Sequence, residues 1–218
     1  MHKPHGPYEK YFKRPLDFIL GVLTIIAFSW LYIILVVLGI FFMRGNPFFL
    51  QERPGKNEKI FKLVRTMDNR KDKNGVLLPD EIRLNRYGKF LRSTSLDELP
   101  EIFNIIKGDM SIIGPRPLLV RYLPYYSTEE HHRHDVRPGL TGYAQVHGRN
   151  YVSWEEKFKM DIKYVNTISF KGDFKIITDT IKTVLKRENI ETASSIVHDG
   201  VLYQPLDVER SSINKEGE

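Results

Sequence analysis

The chain contains no cysteine, which excludes disulfides and thiolate metal sites and fits a reducing compartment. It has no internal repeat and no low-complexity tract, so one compact domain plus an appendage is the expectation for 218 residues. Neither a P-loop nor a Rossmann glycine fingerprint is present. Charge is missing altogether between Phe18 and Met43, and that absence says the most. An uncharged run of Ile, Leu, Val and Phe this long reaches across a hydrocarbon core. It also lacks the marks of a secretory signal, because it ends in Met43-Arg44-Gly45-Asn46-Pro47 rather than in a small-residue cleavage site.

What is present is a net charge of +6, which points to an anionic partner: nucleic acid, a phosphorylated substrate or lipid head groups. Cations flank both ends of the apolar run, Lys10, Lys13 and Arg14 before it and Arg44, Arg53, Lys56 and Lys59 after it. The positive-inside tendency places each flank in the cytoplasm. A simple span cannot satisfy both flanks, whereas a helix that enters, breaks and returns to the same face can. Lys10, Lys13 and Arg14, with Tyr8 and Tyr11, then belong in the head-group layer.

Beyond the run, Lys59 to Arg65 alternates apolar and basic residues and predicts a strand. Asn74-Gly75 marks a turn. Ile82, Leu84, Tyr87, Phe90 and Leu91 lie near helical spacing, and a further helix is expected from Asp97 to Lys107 with Gly108 as its C-cap. Ile112-Ile113 reads as a short buried run. Leu118 to Tyr126 suits core or membrane surface equally. Ser153 and Glu156 form a capping-box pattern ahead of a stripe of Trp154, Phe158, Ile162 and Val165. Asp161 shares that stripe, so its carboxylate must be paired, hydrogen-bonded or bound to a cation. Phe174, Ile177, Ile181 and Val184 mark a last amphipathic helix with Asp173 as N-cap. From Glu191 onward a loosely ordered tail is expected.

Ser95-Leu-Asp-Glu-Leu-Pro100 is the most informative segment. Pro100 belongs in the first turn of a helix, which puts Asp97 and Glu98 at a helix N-terminus, where backbone N–H groups favour anions. Two such carboxylates suit a nucleophile, a general base or metal ligands; plain capping explains the same residues. Gly114-Pro115-Arg116-Pro117 makes a rigid turn presenting one guanidinium, suited to bidentate phosphate recognition or to a solvated loop corner. Arg137 in Arg137-Pro-Gly-Leu-Thr-Gly142 and Arg149 beside Gly148 are further cations next to glycine. His131, His132 and His134 lack a matched downstream ligand pattern and read as a solvated helix face.

Taken in order, Ser95-Leu-Asp-Glu-Leu-Pro100, Lys107-Gly-Asp-Met-Ser-Ile-Ile-Gly-Pro-Arg-Pro117, Arg137-Pro-Gly-Leu-Thr-Gly142 and Gln145-Val-His-Gly-Arg-Asn150 closely resemble the bacterial sugar transferase family, the monotopic phosphoglycosyl transferases acting on undecaprenyl phosphate. The resemblance runs from about Tyr8 to Lys186 and matches the short, catalytic-domain form. It implies a two-step, Mg²⁺-dependent reaction in which Asp97 attacks the β-phosphorus of a UDP-sugar, releases UMP and passes the phosphosugar to polyprenyl phosphate. Glu98 matches the second acid. Arg116, between Pro115 and Pro117, matches the phosphate arginine, and Asp173 matches a family acidic position. Lys62, Arg92, Arg137 and Arg149 are further expected phosphate contacts. Asp97, Glu98 and Asp161 are the expected Mg²⁺ ligands.

The fold expected is therefore α/β and mostly helical: a membrane-anchoring helix in 1–46, a cytoplasmic catalytic domain with amphipathic surface helices in 47–190, and a tail in 191–218. The expected setting is the bacterial inner membrane, with lipid, UDP-sugar and polyprenyl phosphate as partners and no nucleic acid. One position departs from the family pattern. Ser29-Trp30 stands where Ser-Pro is common, which leaves both a spanning and a re-entrant course open; Ser29 bonding back to the Ile25 carbonyl is one way to bend without proline. Two rival functions remain: a glycosyltransferase that releases UDP, and a lipid-binding adaptor without catalysis. The sugar, the pathway and the oligomeric state are not legible.

Overall fold

The computed structural model describes residues 4, 6–43, 46–68, 73, 85–148, 152–185, 197–198, 201–202 and 205–210. The expected turn at Asn74-Gly75, the helical positions Ile82 and Leu84, and Arg149 lie outside these residues. After a π-helical turn at Tyr8–Phe12, α1 (Lys13–Met43) carries the apolar run. It is long and apolar enough to cross a membrane. Phe18, Leu23, Ile26, Trp30, Ile33, Val37 and Phe41 are all exposed on it, an uncovered apolar surface that water would penalise by roughly 1.5–3 kcal/mol per side chain.

The helix is broken once. Phe28 has φ −107° and ψ 15°, outside helical values, and the Ser29 hydroxyl donates to the Ile26 carbonyl at 3.1 Å. The expected partner was Ile25. The non-helical ψ tightens the turn, which brings the i−3 carbonyl within reach instead of the i−4 one.

Both halves of α1 are tied to the domain. In the first half, Arg14 donates to the carbonyls of Ile105 and Ile106 at 2.6 and 2.8 Å, and Asp17 accepts from the Ile112 amide at 3.0 Å. In the second half, Tyr32 donates to the Leu99 carbonyl at 2.7 Å, and Tyr87 donates to the Leu35 carbonyl at 2.9 Å. Lys13 and Tyr8 both donate to Asp173, at 2.6 and 2.8 Å. Lys13, Arg14 and Tyr8 are thus committed to the protein, not to the head-group layer.

The strand expected before Arg65 is β2 (Ile60–Thr66), antiparallel to β1 (Phe48–Pro54). Next come α2 (Arg86–Ser93), with Asn85 as its N-cap, and α3 (Glu101–Lys107). Gly108 ends α3 at φ 101°, a left-handed C-cap where glycine carries no Cβ penalty. Phe61 and Leu63 of β2 pack on Ile102, Ile105 and Met110. A second sheet joins β3 (Ser111–Ile113) in parallel to β4 (Gly139–Thr141). The short helix α4 (Tyr143–His147) leads to α5 (Trp154–Val165), whose Ser153 cap accepts from the Glu156 amide at 3.3 Å as expected.

Two expectations change, for the Asp173 cap and for the tail. Helix α6 (Phe170–Leu185) starts ahead of Asp173, and Ser169 accepts from the Gly172 amide at its start, so Asp173 is not the N-cap. As expected of an amphipathic surface helix, Phe174, Ile181 and Val184 of the α6 stripe are exposed, as is Phe170, while Ile177 packs partly buried against the core that holds Ile176. Leu118 to Tyr126 is core, because Tyr122 and Tyr126 pack with Phe158 and with Leu206. Leu206 belongs to the expected loose tail, yet residues 206–210 form a docked helical turn with Arg210 paired to Glu130 at 2.6 Å.

Candidate active site

Ser95 enters the acidic segment in a left-handed conformation, φ 55°, and its side chain makes no cap bond. The capping-box explanation of Asp97 and Glu98 therefore fails. They sit instead in a 3₁₀ turn, Leu96–Glu98, that runs through Pro100 into α3. Glu101 opens α3, so three carboxylates crowd one turn of chain. Strand β2 presents Arg65 to all of them: Nη2 to Glu98 at 2.6 Å, Nε to Glu101 at 2.7 Å, and Nη1 to Asp97 at 3.6 Å. Arg116 donates to the same Glu98 oxygen, Oε1, at 2.8 Å. Arg53 of β1 donates to the Pro117 carbonyl at 3.0 Å and stands close enough to Arg65 and Arg116 for mutual repulsion.

These neighbours divide the three acids electrostatically. Burial, then the charge of Glu98, pushes Asp97 up to about 6 against the pull of Arg65, Arg92 and Arg116. Glu98 is half-buried, but Arg116 and Arg65 outweigh its desolvation and hold it below the usual carboxylate range. Burial raises Glu101 to about 7, with Arg65 opposing and Glu98 reinforcing. Glu98 and Glu101 are locked by close, charge-assisted hydrogen bonds. Asp97 approaches Arg65 only at 3.6 Å, so its oxygens are held among cations without being clamped.

The Arg116 loop is positioned by backbone contact. A Cβ on Gly139 would lie 2.0 Å from the Gly114 amide nitrogen, and one on Gly142 would lie 2.1 Å from the Gly114 carbonyl oxygen. Glycine therefore lets two loops meet main chain to main chain, with Gly114 N–H donating to Thr141 and Gly139 N–H donating to Pro115. Arg133, buried in the 3₁₀ helix Glu130–His134, donates to the Arg116 carbonyl at 2.8 Å and to Asp161 at 2.7 Å.

Of the expected site residues, Asp97, Glu98 and Arg116 come together, and Arg92 lies near enough to act on Asp97. Pro115 and Pro117 contribute carbonyls to the loop's scaffold. Four others fall elsewhere. Lys62 is exposed on the face of β2 opposite Arg65, because strand side chains alternate. Arg137 donates to the Gly108 carbonyl at 2.8 Å and completes the end of α3. Asp173 binds Tyr8, Lys13 and Tyr164. Asp161 is consumed by Arg133 rather than joining Asp97 and Glu98 as a metal ligand. Arg65, Glu101, Arg53 and Arg133 were not foreseen. The spacing of Glu101 from Asp97, one helical turn, was a signal available for one of them. The hard oxygens of Asp97 and Glu98 fit Mg²⁺ by donor chemistry.

Fold and site together present a long, exposed apolar helix and, beside it, acidic groups set among arginines. A family model for bacterial sugar transferases matches residues 8–187, and the chain belongs to that family. It is 48% identical over 155 residues to the uncharacterized sugar transferase EpsL of Bacillus subtilis, covering 70% of this chain and 77% of EpsL. It is 33% identical over 203 residues to the UDP-glucose:undecaprenyl-phosphate glucose-1-phosphate transferase of Caulobacter vibrioides, covering 86% of this chain and 76% of that one. It is 35% identical over 194 residues to the UDP-N-acetylgalactosamine-undecaprenyl-phosphate N-acetylgalactosaminephosphotransferase of Aeromonas hydrophila, with 83% of this chain and 45% of that one covered. The chain thus spans under half of some relatives and about three quarters of others.

Proposed function

We propose that the chain transfers a sugar 1-phosphate from a UDP-sugar to polyprenyl phosphate through a covalent intermediate on Asp97. The observation that carries this reading is the unequal treatment of the three acids: Glu98 and Glu101 are clamped by Arg65, and Asp97 is not. An Asp97 carboxylate oxygen attacks the β-phosphorus of the donor, the bond to UMP breaks, and the phosphosugar stays on Asp97 as an acyl phosphate. An oxygen of the lipid phosphate then attacks the same phosphorus and frees the carboxylate. Arg65, Arg92 and Arg116 supply the positive field that an anion attacking an anion requires. Mg²⁺, held by Glu98 and Asp97, would neutralise pyrophosphate charge when bound.

The reading extends to topology. The break at Phe28 and the contacts of both halves of α1 with one domain support a helix that turns back to the cytoplasmic face. The exposed Phe170, Phe174, Ile181 and Val184 of α6 support a domain lying on the lipid surface.

Incubation of wild type with UDP-sugars and Mg²⁺, without acceptor, tests the mechanism. UMP release with a phosphosugar on Asp97 is expected, and Asp97→Asn should abolish both. Release of UDP instead would identify a glycosyltransferase, and full activity in Asp97→Asn would overturn the covalent step.

A further inference from the structure

Outside the carboxylate cluster, Glu58, His131 and His134 each offer a ligand atom, all within 4.8 Å of one another. The expectation of a solvated histidine face does not hold for two of the three. Residues 130–134 form a 3₁₀ helix, in which positions i and i+3 eclipse. His131 and His134 therefore share a face. His132 turns away to Asp135 at 2.9 Å. Across from the pair, the turn between β1 and β2 is left-handed at Asn57 and Glu58, φ 53° and 60°, and brings the Glu58 carboxylate to both rings.

His134 is the unexplained member. Its side chain is only 6% exposed, and among the described residues neither Nδ1 nor Nε2 makes a well-formed hydrogen bond, the His131 backbone being the polar group close enough to act on the ring. A neutral imidazole carries one donor and one acceptor, and burying both unmet is unfavourable. Nδ1 lies 3.6 Å from Glu58 Oε1, beyond hydrogen-bond reach. That separation is close to the roughly 3.3 Å edge of a tetrahedron whose ligand atoms stand 2.0–2.1 Å from an ion. His131 Nδ1 contacts the same Glu58 oxygen directly.

We propose that Glu58, His131 and His134 bind one divalent transition-metal ion, zinc foremost. Two imidazoles and one carboxylate are the donor set for such an ion, whereas Mg²⁺ prefers oxygen alone. The ion replaces the proton shared by His131 and Glu58 and gives buried His134 a well-placed partner. Glu58 and His131 are each 38% exposed, so one side stays open for a water as fourth ligand. The Tyr126 ring, 5.6 and 5.4 Å from the two imidazoles, walls the other side. Because Arg133 lies between the two histidines and holds the Arg116 carbonyl, the ion would staple the β1–β2 turn to the segment that positions Arg116.

The test is a zinc titration of the full chain in detergent or nanodiscs, carrying no polyhistidine tag, with metal content by mass spectrometry and cobalt absorption as a second readout. One saturable equivalent is expected, with tetrahedral-type cobalt bands. His131→Ala and Glu58→Gln, both at half-exposed positions, should each weaken binding at least tenfold, while His132→Ala, His147→Ala and Asp97→Asn retain it. Binding unchanged in both site variants, or absent from wild type, would overturn the proposal. Loss on Asp97→Asn would do so too, by placing the zinc among the carboxylates.

Discussion

Arg133 donates from one guanidinium nitrogen to both the Arg116 carbonyl, at 2.8 Å, and Asp161, at 2.7 Å. A buried ion pair thus sets the backbone of the loop whose side chain reaches Glu98. Removing one partner of such a pair strands the other charge and is expected to destabilise by about 3–5 kcal/mol, whereas an apolar pair of similar volume restores most of the stability. Asp161→Leu should therefore unfold at markedly lower denaturant. Arg133→Met with Asp161→Leu should regain stability but not turnover, because the Arg116 carbonyl loses its donor. Recovery of both together would make the pair purely structural.

Asp97 and Glu101 weaken the fold at neutral pH. Both are raised in the folded state, to about 6 and about 7, so folding is favoured while they are protonated. Their contribution is fully present below the ordinary carboxylate range and is lost as pH rises through 6 to 7. Asp97→Asn should stabilise the ligand-free protein at pH 8 by on the order of 2–3 kcal/mol, since each tenfold change in proton affinity is worth about 1.4 kcal/mol. The difference should vanish near pH 4. Chemical denaturation at several pH values measures it, and a stability gap independent of pH would contradict the assignment.

The proposed mechanism ties the rate to the same titration. With the Asp97 carboxylate as the proposed nucleophile, kcat/KM should rise about tenfold per pH unit below 6 and flatten above it. A plateau extending down to pH 5 would mean that Asp97 is ionised throughout and its burial is offset by another group.

Arg116→Lys should not be conservative. The charge is kept, but the planar guanidinium whose Nη2 meets Glu98 is lost, and with it the phosphate orientation proposed for Arg116. Turnover should fall by about tenfold or more, equivalent to about 1.4 kcal/mol of barrier. Activity within about twofold of wild type would reduce Arg116 to a loop residue.

The cysteine-free background makes topology directly testable. His5→Cys should react with an impermeant thiol reagent in inverted vesicles and stay unlabelled in intact spheroplasts. The reverse pattern would establish a spanning helix.

Patterns local in the chain were legible without the structure. The uncharged run of α1, the alternation of β2, the Gly108 cap, the Ser153 cap and the pairing of Asp97 with Glu98 all depend on neighbours a few residues apart, where periodicity and backbone preference decide. What the arginines and histidines do was decided only in three dimensions. A long cationic side chain looks alike in sequence whether it meets a phosphate, a helix end or a buried acid. Arg65 turned out to clamp Glu98 and Glu101 and to face Asp97 at 3.6 Å, and Arg137 to hold the end of α3. Asp161 announced through its place on the apolar stripe that it needed a partner, but Arg133 could be named only once α5 and the 3₁₀ helix were packed together. His131 and His134 meet Glu58, 73 residues upstream of His131, where no local spacing rule reaches.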